Sequence, residues 1–181
     1  MLGKCLAAIT NTCKLPDYEL MVVKNDFVSF AHAVNRVWKY AVSNPDIGGV
    51  FVVIDDFIVE DPDWWRLAPT LSSIRITVPP QFYREDHVVF GCSYFPITAI
   101  SYVGLLDERF TILEAEDVDW CARAQEKGVG FLKYGTEVGQ HLEFQRYSQE
   151  QKDIKKRNKD LFDKKWKGTK WEGRLCKSLR S

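Results

Sequence analysis

Residues 50–54, Val-Phe-Val-Val-Ile, form an unbroken β-branched and aromatic run that ends directly in Asp55-Asp56. Such a run reads as a strand buried on both faces, the pattern of a sheet covered by helices on either side. Upstream, residues 18–23 follow the breaker Pro16-Asp17 and read as another strand. Between the two, Phe30–Ser43 places Ala31, Val34, Val37, Trp38 and Ala41 on one helical face. Strand, helix, strand in that order predicts a parallel sheet with crossover helices. The expected fold class is α/β, a mostly parallel sheet flanked by helices.

The remaining segments continue in this way. Leu2–Thr12 reads as a short helix, residues 74–78, 87–90 and 131–134 as strands, residues 118–127 as a helix closing at Gly128, and Gln149–Lys165 as a charged terminal helix. No repeat or long linker interrupts the 181 residues, enough for one domain with a sizeable core. Twenty-five basic residues balance twenty-five acidic ones, so no global field recruits nucleic acid. Residues 142–181 nevertheless hold thirteen Lys/Arg against six Asp/Glu. This basic tail is expected as a solvated helix face, with peripheral contact to phosphates, acidic glycans or anionic lipid as the functional alternative. Five scattered cysteines without a C-x-x-C pair point away from a disulfide framework or zinc site and toward a reducing compartment. With no apolar run of about 20 residues and no signal-peptide pattern, the expectation is a cytoplasmic protein without a transmembrane segment.

In a parallel sheet, ligands collect beyond the carboxyl ends of the strands, where Asp55 and Asp56 are expected. Two adjacent carboxylates are costly to crowd unless a cation sits between them. A hard ion, Mn2+ or Mg2+, takes oxygen ligands and shares them with substrate phosphates. The plain alternative is a turn in which an Asp caps the next segment. A second acidic cluster, Glu114, Glu116, Asp117 and Asp119, opens the helix that follows. Acids in a first turn complement the helix dipole, yet one of them is also placed to act as a general base.

Several stretches form an ordered set. They are residues 5–23, Ser29-Phe30-Ala31-His32-Ala33-Val34-Asn35, Ile54-Asp55-Asp56 with Pro62-Asp63-Trp64 after it, and Gly91-Cys92-Ser93. The set continues with Gly104-Leu105-Leu106-Asp107-Glu108-Arg109-Phe110, Glu116-Asp117-Val118-Asp119-Trp120-Cys121, His141, and finally Asn158, Phe162 and Lys165-Trp166. In this order they resemble the family-two inverting glycosyltransferases of the GT-A fold, the rhamnosyltransferase-like kind included. The strongest part is the block like G-x-F-D-E-R-F followed by E-D-x-D-x-C. The resemblance spans nearly the whole chain, and its specificity lies in the order rather than in any one motif.

The resemblance implies a nucleotide-sugar half over about residues 1–65, an acceptor and catalytic half over about 66–145, and a basic helical tail over about 146–181. It makes Asp56 the principal metal carboxylate, Asp55 its neighbour on metal or donor ribose, and His141 a further metal or diphosphate contact. Asn25, Asp26 and Asn35 fall on the donor side, Gly91 and Trp120 on the acceptor side. Asp117 becomes the general base and Glu116 its support. The implied partners are a nucleotide-sugar donor and a glycan, lipid-linked or protein-linked sugar acceptor. Ile54 stands at the first position of the family's usual D-x-D, and Lys24 near its base-recognising Asp. The family's first strand would lie upstream of Met1, so an N-terminally truncated version of the fold is expected. Two other readings of the same acids are a binding domain derived from such an enzyme and a glycoside hydrolase, whose two carboxylates flank the scissile bond.

Overall fold

The computed structural model describes residues 2–15, 17–23, 29–68, 74–85, 87–111, 115–142 and 148–175. Three helices take the bounds their periodicity predicts: α1 (Leu2–Thr12), α2 (Phe30–Ser43) and, in the numbering used below, α5 (Gln149–Lys165). Local chemistry fixes where they start. Ser29 Oγ accepts from the His32 N–H at 2.9 Å, capping α2. Ser148 and Gln151 satisfy one another's backbone N–H groups at 3.2 and 2.8 Å, a capping box for α5. The helix expected over residues 118–127 is α4 (Glu116–Glu126), and it closes at Gly128 with φ 74°. A short helix, α3 (Ile97–Val103), was not anticipated.

Among the described residues the strands are β1 (Gly49–Val53), β2 (Phe57–Val59), β3 (Ile76–Val78), β4 (Cys92–Pro96), β5 (Phe131–Lys133) and β6 (Gly139–His141). The main sheet has four strands in the order β1-β4-β3-β5, and β2 pairs with β6 alone. The fold class is α/β, but the sheet is mixed rather than mostly parallel. β4 runs antiparallel to both β1 and β3, and only β3–β5 is parallel. Among the described residues α3 and α4 lie between β3 and β5, the long crossover connection that a parallel pair needs.

Two strand expectations need correction. Residues 18–23 form no strand; Tyr18, Leu20, Met21 and Val22 are exposed, and Glu19 accepts from the Tyr40 hydroxyl at 2.9 Å. Residues 87–90 contribute one isolated bridge, Tyr83 to Val88, and the regular strand begins at Cys92. Among the described residues β1 pairs with β4 alone and ends the four-stranded order. Of its five residues only Val50 is buried, so the strand is not covered on both faces.

The core gathers around Trp38, Phe90, Phe95 and Trp120, with ring centroids 4.5 Å apart for Phe90–Phe95 and 5.4 Å for Trp38–Trp120. A second cluster joins Phe110, Val118 and Ala122 to Phe162, Trp171 and Leu175 near the C-terminus. The described cysteines, Cys5, Cys13, Cys92 and Cys121, are free thiols. Among the described residues no helix is long and apolar enough to cross a membrane.

Candidate functional site

The end of β1 turns sharply. Ile54 donates to the Gly91 carbonyl at 3.0 Å, and Phe57 returns to the Ile54 carbonyl at 3.2 Å. This turn leaves Asp55 exposed and Asp56 half-buried. β2 and β6 then carry the chain past Asp56, with Phe57 opposite His141 and Leu142 N–H bonded to the Asp56 carbonyl at 2.8 Å. His141 Nε2 thereby comes 3.4 Å from Asp56 Oδ2. The imidazole stands edge-on to Phe82, centroids 6.1 Å apart, and Phe82 packs against Phe57 at 5.0 Å. Gly91 makes this possible, since a Cβ there would run into the Phe82 ring.

Electrostatics mark the same place. Burial holds the Asp56 carboxyl above the usual carboxylate range; His141 opposes that shift and the Asp55 charge adds to it. Cys5 of α1 lies below, its Sγ 3.5 Å from the Ile54 carbonyl. Burial, and after it Asp55 and Asp56, push this thiol up. The negative character of the rim thus reaches a neighbouring helix.

A carboxylate and an imidazole make a partial shell for Mn2+ or Mg2+. Among the described residues no group of three or more His, Cys, Asp or Glu is close enough to hold an ion unaided. Asp55 stands beside the pair without completing such a group. The donors fit an ion held by one or two side chains together with water and substrate phosphates, the usual habit of Mg2+.

The second acidic cluster divides by depth. Ala115, wholly buried at the entry to α4, has φ 87°, a left-handed conformation that costs a non-glycine residue about 1–2 kcal/mol. Glu116 is buried and Asp117 half-buried, its Oδ1 accepting from the Val118 N–H at 2.8 Å. Asp119 is fully buried and accepts from Lys165 at 2.7 Å, Trp166 Nε1 at 2.9 Å and Arg123 at 3.1 Å. Lys165 also pairs with Asp107 at 2.7 Å, and Asp107 with Arg109 at 2.6 Å. Hydrogen bonds from Arg109, opposed by burial and reinforced by Lys165, hold the Asp107 carboxyl well below the usual range.

The other expected contacts turn inward. Asn35 is buried, donating to the Leu106 carbonyl and Glu108 at 2.9 and 2.8 Å and accepting from the Leu106 N–H at 2.9 Å. Trp120 sits in the aromatic core and donates to the Gly104 carbonyl at 2.7 Å. Arg123 binds the Val103 and Leu105 carbonyls at 3.1 and 2.8 Å. Side chains from α2 and α4 therefore anchor the segment from Val103 to Glu108. Asn25, Asp26 and Glu114 lie outside the described residues.

Sequence reasoning missed Cys5, Phe82 and the hub at Asp119. The spacing of Asp119 and Arg123, four apart on one helix, was the available signal for the last; nothing local marked the other two. The chain matches no protein-family model, no curated protein and no solved structure.

Proposed function

We propose that the chain is a metal-assisted inverting glycosyltransferase acting on a nucleotide-sugar donor and an acceptor hydroxyl. One observation carries the reading: Asp56 and His141 meet at the end of β1, beside Asp55, with the Asp56 carboxyl destabilised as an anion. A carboxylate in that state gains most from a nearby cation. Asp56 and His141 would hold Mn2+ or Mg2+, with Asp55 facing the ion or the donor ribose. The bound ion supplies charge neutralisation for the departing nucleoside diphosphate.

Asp117 is the proposed general base, accepting the proton of the acceptor hydroxyl as that oxygen attacks the anomeric carbon. A base in this role contributes about 10²–10⁴-fold in rate. The strained Ala115 immediately before the Glu116-Asp117 pair supports the assignment, because such backbone outliers concentrate at functional sites. Buried Glu116 would brace Asp117 rather than touch substrate.

A non-catalytic nucleotide-sugar or glycan-binding domain is the second reading. Ile54, standing where the family's D-x-D has its first acid, favours it. One experiment separates the two. Nucleotide sugars are screened with Mn2+ for thermal stabilisation, and the donors that bind are assayed for hydrolysis and transfer, with and without EDTA. Turnover that needs metal and is lost in Asp117→Asn, with donor binding retained, supports the enzyme. Metal-dependent binding without turnover supports the binding domain, and activity unaffected by EDTA removes the metal from either scheme.

A further inference from the structure

The start of α4 has no ordinary cap. Ala115 stands at the N-cap position, where the side chain of Ser, Thr, Asp or Asn would accept a free N–H, and its methyl group can accept nothing. Asp117 turns back on the helix instead, its Oδ1 taking the Val118 N–H at 2.8 Å. The first turn is held from two residues further along, by Asp119. One oxygen of that buried carboxylate receives Lys165 Nζ at 2.7 Å and Trp166 Nε1 at 2.9 Å, and the other receives Arg123 Nε at 3.1 Å.

Lys165, the last residue of α5, makes a second contact at the same time. Its Nζ lies 2.7 Å from Asp107 Oδ2 and 5.8 Å from the centre of the Phe110 ring. Asp107 belongs to the segment that Asn35, Trp120 and Arg123 anchor through its carbonyls. One ammonium therefore joins that segment to the first turn of α4. Without it two carboxylates would face each other across the joint, and like charges raise each other's energy. Stability alone is a poor reason for such a bridge, because apolar side chains often replace a buried ion network at no loss. What the bridge adds is a fixed geometry.

We propose that Lys165 is a positioning residue of the transfer site. By holding Asp107 and Asp119 on one ammonium, it sets the first turn of α4, and with it the Asp117 carboxylate, against the segment from Val103 to Glu108. The inference rests on the reading of Asp117 as general base. It adds that α5 is needed for turnover, although Lys165 itself touches no substrate. A base acts only within hydrogen-bond reach of the proton it takes, and a shift of about 1 Å in a reacting group costs about 10²-fold in rate. Arg123 and Trp166 still satisfy Asp119 when Lys165 is replaced, but neither bonds Asp107.

Lys165→Met keeps a long side chain over Phe110 and removes the charge. It is compared with the unaltered chain at a temperature where circular dichroism shows both folded. The assay follows release of nucleoside diphosphate, with Mn2+, from uridine, guanosine and thymidine diphosphate sugars, water standing in for the acceptor hydroxyl. kcat is expected to fall by about 10²-fold, while the KM for the donor and the affinity for Mn2+ stay within about twofold. Asp107→Ala opens the other end of the bridge and should lower kcat in the same direction; it carries the test if Lys165→Met does not fold. Gly128→Ala strains the far end of the same helix and should keep full kcat, which separates positioning from lost stability. Unchanged kcat in Lys165→Met and Asp107→Ala, or an equal loss in Gly128→Ala, overturns the proposal and leaves the transferase reading standing. A raised donor KM with kcat intact also overturns it, since Lys165 would then serve the donor. No release by the unaltered chain removes the transferase reading and this proposal with it.

Discussion

A carboxylate taken wholly out of water stays ionised only when cations and N–H donors replace its lost hydration. Asp119 receives three such donors, from Arg123, Lys165 and Trp166. Truncating one partner of a buried ion pair costs about 3–5 kcal/mol because the others keep their charge without compensation. Asp119→Ala should lose stability on that scale in urea unfolding, and a loss under 1 kcal/mol, roughly that of an exposed pair, would show the network to be solvated. Asp107 makes a pH prediction. Its folded carboxyl lies well below the unfolded value of about 4, chiefly through Arg109. A depressed carboxylate contributes stability that is complete above the unfolded value and lost as pH falls through it toward the folded one. Asp107→Asn should therefore flatten the loss of stability below about pH 4, measured by melting temperature against pH. An unchanged acid limb would assign that loss to other carboxylates.

At the scale of elements, legibility tracked how local the causes are. α1, α2 and α5 were readable to their termini because periodicity and capping residues sit within the helix itself. Strand direction was not, since it depends on which distant segment fills the neighbouring place in the sheet. The apolar run at residues 18–23 has strand composition but no strand beside it. β6 was invisible for the same reason: Gly139, Gln140 and His141 carry no apolar alternation, and only pairing with β2 makes them a strand. His141 was named through its place in an ordered motif set, while its contact with Asp56 comes from that pairing. Gly139 tests the dependence. A Cβ there would collide with the Ile58 carbonyl, backbone that cannot move aside without breaking the ladder. Gly139→Ala should cost about 1–3 kcal/mol, as overpacking does, and should weaken Mn2+ binding as much as Asp56→Asn. Gly128→Ala is the control: it adds strain at φ 74° with open space around it and should lower the melting temperature without changing metal affinity. Equal metal affinities in all three variants would remove His141 and Asp56 from the site.

Across the whole molecule the question is whether the two hydrophobic clusters unfold together. α4 belongs to both. Trp120, Cys121 and Ala124 enter the main core, and Val118 and Ala122 enter the cluster with Phe162, Trp171 and Leu175. Opening either cluster strips one face of the same helix. Polar ties join the C-terminal segment to α4 and to the loop before Phe110: Lys165 to Asp107 and Asp119, and Trp171 Nε1 to Glu126 at 2.9 Å. Under these constraints the C-terminal helix cannot detach without exposing apolar surface and leaving Asp119 short of a cation. Small domains linked this tightly unfold as one unit. Urea transitions followed by far-UV circular dichroism and by tryptophan fluorescence should therefore coincide, because Trp38 and Trp120 report on one cluster and Trp166 and Trp171 on the C-terminal one. Lys165→Met should move both midpoints down together, since the shared faces of α4 still couple the clusters after the ion pairs are lost. Separate transitions in the unaltered chain would mean that α4 does not transmit the loss of one cluster to the other. Separation in Lys165→Met alone would place the coupling in the Asp107–Lys165–Asp119 bridge instead of in apolar packing.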